Sequence, residues 1–396
     1  MKASWRWFGP DDSVPLSHAM QAGASGIVTS LHHVPPGEVW TAEEVLRRRG
    51  EIRRSGLEWN VIESIPVHED IKTRSGKWRT HIANYKDSLK SVAAAGLDTV
   101  CYNFMAITDW TRTDLDYRMP HGGTALRFDV IDFAAYDLFI LERNGAEDDY
   151  SPEIVARARK RHDDMPEATR AQLESNLIGW VPARDFTFDR TSFREFLKIY
   201  DDVAHDDLVA NLNNFLAEII PVAADLGVRM CMHPDDPPFS LFGLPRVMST
   251  PADYRRIFDF IDVPENGMTL CTGSLGSRID NDLVEIAATF ADRIHFAHLR
   301  DVVIEPDGSF VEAEHLEGRT NMTRVVRILL SEEQRRRAEG RVDAEIPFRS
   351  DHGHRIIDDI DKKVNPGYSC IGRLKGLAEL RGVIRAVSEE KAMARD

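Results

Sequence analysis

Gly227-Val228-Arg229-Met230-Cys231-Met232-His233 holds the pattern on which the fold turns. A glycine stops a helix-periodic run at 207–226, an apolar stretch too short for a helix follows, and that stretch ends on an imidazole. The order repeats on both sides. Upstream, strands are expected at 4–8, 26–31, 58–65 and 98–104, with helices at 16–21, 41–55 and 79–95 between them. Downstream, strands at 268–271, 294–299 and 346–351 alternate with helices at 250–261, 280–290, 320–330 and 372–387. Eight strand-then-helix units predict a (β/α)₈ barrel, while a doubly wound open sheet carries the same alternation and is the competing architecture. The rhythm breaks between 105 and 206, where helices are expected at 130–142, 151–161 and 166–175. That stretch has apolar positions of its own, so it reads as a long, mostly helical insertion after the fourth strand of a single domain spanning 1–396.

Composition narrows the function. The chain has 396 residues, 42% hydrophobic and 29% charged, with a net charge of −15. Such a balance suits a soluble globular enzyme and opposes nucleic-acid binding, which needs a clustered basic surface. Cysteines at 101, 231, 271 and 370 form neither a disulfide framework nor a zinc-finger spacing, and point to a reducing, cytoplasmic setting. Neither a signal-like apolar run nor a membrane-length segment is expected; the most apolar helix is interrupted by Glu218, Pro221 and Asp225.

In a parallel barrel, functional groups gather where strands end. Three expected strands end on or beside His233, Cys271 and His298, and Phe348-Arg349-Ser350-Asp351-His352-Gly353-His354 ends the eighth. Two imidazoles, a thiolate and the Asp351 carboxylate form a set suited to Mn²⁺, Fe²⁺ or Zn²⁺ and ill suited to Mg²⁺ or Ca²⁺. His352 then stands beside the cation as a proton carrier. Each residue also has a plainer reading: a buried cysteine is ordinarily inert core, and Asp-His-Gly makes a polar turn. His295 competes with His298 but faces the other side of its strand, further from the C-terminal end. His32, at the end of the second strand, and Arg6 and Arg300, near strand ends, are candidate substrate contacts, with the arginines suited to a carboxylate. Gly273-Ser274-Leu275-Gly276 offers backbone N–H groups to an anion or is simply a flexible loop. Tyr368, in Asn365-Pro366-Gly367-Tyr368-Ser369, supplies a phenol that serves as acid or base, or as packing.

Several stretches together resemble the mannonate dehydratase family of hexuronate catabolism. They are Trp5-Arg6-Trp7-Phe8-Gly9-Pro10, Met232-His233-Pro234-Asp235-Asp236-Pro237-Pro238, Leu270-Cys271-Thr272-Gly273-Ser274, Ile294-His295-Phe296-Ala297-His298-Leu299-Arg300-Asp301, Asp351-His352-Gly353 and Asn365-Pro366-Gly367-Tyr368, continuing into Gly372-Arg373-Leu374-Lys375-Gly376. The resemblance runs from the first residues to the last helix. It implies a xylose-isomerase-like TIM barrel that converts D-mannonate to 2-keto-3-deoxy-D-gluconate and water with Mn²⁺ or Fe²⁺. It further implies His233, Cys271, His298 and Asp351 as metal ligands, His352 and Tyr368 as the acid–base pair, and a homo-oligomeric assembly. Which of the pair is acid and which is base stays open, with Tyr368 preferred as base. A metal-dependent sugar isomerase on the same barrel is the alternative activity. Asp301 departs from the asparagine the resemblance favours after the arginine.

Overall fold

The structure is a computed structural model that describes residues 1–179 and 188–393, with backbone only for 391–393. Its strands, in chain order, are β1 (Lys2–Arg6), β2 (Gly26–Thr29), β3 (Glu58–Glu63), β4 (Thr99–Tyr102), β5 (Asp114–Arg118), β6 (Thr124–Phe128), β7 (Arg229–Met232), β8 (Asn266–Cys271), β9 (Ile294–His298), β10 (Asp301–Ile304), β11 (Phe310–Ala313) and β12 (Pro347–Arg349). Eight of them close a barrel in the order β1-β2-β3-β4-β7-β8-β9-β12. β12 pairs in parallel with β1 through Phe348 and Ala3 and with β9 through Phe348 and Ala297, so the sheet has no free edge and the open-sheet architecture is ruled out.

The connecting helices obey local rules. Thr41 caps Ala42–Arg54 by accepting from the Glu44 N–H, and Thr250 caps Pro251–Phe260 by accepting from the Asp253 N–H. Gly227 (φ +67°) turns the chain out of His205–Asp225 in a left-handed conformation that a side chain would resist. Strands are shorter than expected at several ends, because ladder pairing stops before the apolar run does. The first strand begins earlier than 4–8, since Lys2 N–H already donates to the Ile346 carbonyl (3.0 Å). The helix expected at 320–330 runs over Met322–Ala338, carried on by a charged stretch of good helix formers.

The segment 105–206 holds helices at Val130–Ala135, Pro152–Asp164 and Glu167–Leu177, close to those expected, and a further one at Arg190–Leu197. Residues 180–187 lie outside the described part. The segment also supplies β5 and β6, which were not expected. With β10 and β11 they form an antiparallel sheet ordered β10-β11-β6-β5 across the barrel mouth side of the chain. β5 (Asp-Leu-Asp-Tyr-Arg) alternates polar and apolar residues, but over only five positions and with none of them buried, so its signal in sequence is weak.

Side-chain parity inside the barrel positions the chemistry. Val28, Val61, Cys101, Cys231 and Phe296 form one apolar layer of inward residues. Two positions further along their strands, and therefore on the same face, come Glu63, His233 and His298. The polar layer sits directly above the apolar one, at the C-terminal mouth. Among the described residues no helix is long and apolar enough to cross a membrane.

Candidate active site

The structure brings His233, Cys271 and His298 together, with potential ligand atoms all within 4.8 Å of one another. His233 Nδ1 lies 2.7 Å from the Pro234 carbonyl and donates to it, which leaves Nε2 with the lone pair in the neutral ring. That Nε2 faces His298 Nδ1 at 3.2 Å. Asp351 Oδ2 is 3.8 Å from Cys271 Sγ and 3.9 Å from His298 Nδ1, so the carboxylate closes the group. Two facing imidazole nitrogens beside a sulfur and a carboxylate are the donor chemistry of a divalent transition metal, and these residues fit one. His295 lies elsewhere, with Nε2 donating to the Pro264 carbonyl (2.7 Å).

Charge is balanced by buried arginines. Burial opposes ionisation of Cys271, yet Arg300 and hydrogen bonds from His233 and His298 hold its thiol well below the usual range. Burial likewise works against a charged His233, but the Cys271 sulfur, followed by Glu63 and Asp236, lifts it to about 9. Asp351 is held well below the carboxylate range, against burial, by Arg349, His352 and Arg300. Its backbone has φ +65°, a strained value for a residue with a side chain, kept at the turn that presents both Asp351 and His352. Arg349 reaches Asp351 Oδ1 and also Glu63 Oε1 (2.7 Å). Arg300 contacts Asp351 Oδ2 (2.9 Å), Asp236 Oδ2 (2.7 Å) and Glu312. Gly273 makes room for it, since a Cβ there would stand 2.3 Å from Arg300 Nε. The glycine-containing loop after Cys271 is a short helix whose Ser274 N–H points at Cys271 Sγ (3.4 Å), so the anion it serves is the chain's own sulfur.

His352 and Tyr368 meet edge to face, with ring centroids 4.9 Å apart. The Gly353 N–H donates to the Gly367 carbonyl (2.9 Å) and ties their two loops. Burial, then Asp351 and Glu63, outweigh Arg349 and raise the Tyr368 phenol to about 12. Phe8 packs on the same tyrosine at 4.7 Å, and Arg6 lies over Phe8. Arg6 Nη2 is 3.2 Å from His32 Nε2, and burial, then Arg6 and Arg48, lower His32 to about 3. The four candidate ligands, His352, Tyr368, Arg300, Arg6 and His32 therefore border one mouth, and His295 does not.

A family model described as D-mannonate dehydratase (UxuA) matches residues 1–394. The chain belongs to the D-mannonate dehydratase family. A mannonate dehydratase of Saccharophagus degradans is 52% identical over 388 residues, covering 98% of each chain. One from Rhizobium meliloti is 51% identical over 391 residues, covering 98% of this chain and 97% of its own. The crystal structure of mannonate dehydratase from Streptococcus suis serotype 2 superposes with a TM-score of 0.77 at 32% identity, covering 99% of this chain and 95% of that one.

Within this D-mannonate dehydratase family member, Glu63, Arg112, Asp236, Glu312 and Arg349 are part of the site but were not singled out as functional in the sequence. Glu63, Asp236 and Arg349 lie at strand ends or in the quoted motifs, where the strand-end rule reaches them; Arg112 and Glu312 carry no local signal. Asp301 is fully buried, with Oδ1 accepting from the Val302 (2.9 Å) and Thr320 (3.1 Å) N–H groups. Burial pushes its carboxyl up to about 6. Because this is above the ordinary carboxylate value, ionisation costs stability above pH 6, and the cost disappears as pH falls towards 4. Asp301→Asn should therefore gain about 1–2 kcal/mol at pH 8 and about half of that at pH 5. Melting curves at both pH values check this, and an equal or negative shift at pH 8 refutes it.

Proposed function

We propose that this protein removes water from D-mannonate to give 2-keto-3-deoxy-D-gluconate, with Mn²⁺ or Fe²⁺ held by His233 Nε2, Cys271 Sγ, His298 Nδ1 and Asp351. The observation that carries the reading is the meeting of those four side chains at a barrel mouth beside His352 and Tyr368. When bound, the cation draws electron density from the substrate carboxylate and a neighbouring hydroxyl, which eases loss of the C2 proton. The chain's own residues do the rest. His352 and Tyr368 carry the two protons, one leaving C2 and one joining the departing C3 hydroxyl. Arg6 and His32, at the rim, orient the substrate carboxylate. Arg300 is already enclosed by Asp236, Glu312 and Asp351, which favours a positioning role over substrate contact.

The segment 105–206 is read as an insertion within one domain spanning 1–396, supported by the pairing of β6 with β11. The acidic charge and scattered thiols support a cytoplasmic protein that engages neither nucleic acid nor membrane, and family likeness supports a homo-oligomer.

Incubation with D-mannonate and Mn²⁺ should yield the 2-keto-3-deoxy acid. A metal-loaded protein that forms none, or that returns an isomerised sugar acid, sinks the dehydratase reading. Cys271→Ser should lower the metal-to-protein ratio about tenfold at limiting metal, because a hydroxyl is a far poorer soft donor than a thiolate. An unchanged ratio removes Cys271 from the ligand set.

A further inference from the structure

We infer that Glu312 is a positioning residue that fixes His352 with its proton on Nδ1, so that Nε2 is the atom through which His352 exchanges protons with the substrate. The inference rests on the reading of His352 as a proton carrier. Glu312 belongs to β11, outside the barrel, and shares with Phe310 the buried face of that strand. Its two oxygens lie 2.8 and 2.9 Å from His352 Nδ1. Arg112 Nη2 contacts the same carboxylate at 3.1 Å, and Arg300 Nη1 contacts it as well. Against burial, Arg300, His352 and Arg112 hold Glu312 down to about 2, so it is ionised at neutral pH.

The donor inventory then leaves one solution. An ionised carboxylate only accepts, and a guanidinium only donates. Nδ1 must therefore carry a proton towards Glu312, since its lone pair would otherwise face two carboxylate oxygens at hydrogen-bond distance. Arg300 Nη1 is 3.2 Å from Nδ1, but two donors cannot satisfy each other, and both serve Glu312. In the neutral ring the lone pair is on Nε2, 3.7 Å from Asp351 Oδ1 and on the side of the proposed metal ligands. Tyr368 (4.9 Å) and Trp110 (5.9 Å) pack against the imidazole edge to face and oppose a flip that would exchange its nitrogens. Asp236 completes the frame by binding Arg112 (2.7 Å) and Arg300 (2.7 Å). Arg112 lies in the segment 105–206 and Glu312 in a strand paired to it, so this part of the chain supports the proton carrier from outside the barrel.

Two measurements test the inference. In the Mn²⁺-loaded enzyme, Glu312→Gln should lower kcat about 10- to 100-fold with KM and the metal-to-protein ratio within about twofold of wild type. Glu312→Leu should fall further, because the amide oxygen of the glutamine still accepts from Nδ1 and a leucine cannot. Equal activity in all three proteins, or kcat, KM and metal content failing together, overturns the positioning role. The second measurement needs neither a variant of Glu312 nor turnover. Zn²⁺-loaded wild-type protein labelled with ¹⁵N-histidine should show His352, assigned by its loss in His352→Asn, protonated on Nδ1 and bare on Nε2. A proton on Nε2 with Nδ1 bare overturns the inference. Failure of the wild type to act on D-mannonate would remove the proposed reaction, and the spectrum would still decide the tautomer.

Discussion

His352→Asn should reduce keto-acid formation from D-mannonate by about a thousandfold, within the range by which positioned acid–base groups accelerate proton transfer. The amide can still donate to Glu312, so the carboxylate that faces His352 Nδ1 at 2.8 Å keeps a partner and the fold keeps its frame. What disappears is the nitrogen that exchanges a proton. His352 is not among the four proposed ligands, so the metal-to-protein ratio and KM should stay near wild type. Steady-state assays with metal analysis on the same sample check both. Activity within tenfold of wild type would take His352 out of the mechanism, and loss of metal in step with activity would make it a structural residue. Tyr368→Phe offers the companion measurement: its phenol, raised to about 12 by burial, stays protonated across the neutral range and is suited to deliver a proton to the departing hydroxyl. That favours the roles opposite to the preference drawn from sequence, with His352 as the base.

The barrel was legible because its signals are local. Helix stops such as Gly96 and Gly227, caps such as Thr41 and Thr250, and short apolar runs fall where three-dimensional packing also wants them. The polar ends of those runs gave His233, Cys271, His298 and Asp351, since strand parity and the mouth of a barrel are both readable from spacing. What the spacing hides is anything made by long-range pairing. β5 pairs with β6 across a short turn, and it is β6 that joins β11, far along the chain, which in turn joins β10. Pro306-Asp307-Gly308 does carry a turn signal, and a hairpin reading of 300–313 was available from it. Glu312 had no such marker: a single glutamate between Val311 and Ala313 looks like a solvated strand position until Arg112, Arg300 and His352 are seen around it.

Arg300→Met should cost the metal-free protein about 3–5 kcal/mol, the loss expected when one partner of a buried ionic cluster is removed and the others remain. Arg300 is 2% exposed and touches Asp236, Asp351 and Glu312, three carboxylates that are each at most 4% exposed at the side chain. Methionine fills much of the same volume but neutralises nothing. Arg112 and Arg349 compensate part of the charge, through Asp236 and Glu312 on one side and Asp351 on the other, which keeps the loss within that range. The pH dependence has a definite sign. In the wild type Glu312 is depressed to about 2, so its contribution is complete above the unfolded carboxylate value and is lost as pH falls towards 2. Without Arg300 the folded carboxylates take up protons more readily, so the deficit of the variant should be largest near pH 8 and shrink towards pH 5. Urea unfolding at the two pH values measures it. A variant as stable as wild type at pH 8, or one whose deficit grows on acidification, would mean that the arginine is not the counter-charge on which this mouth of the barrel is assembled.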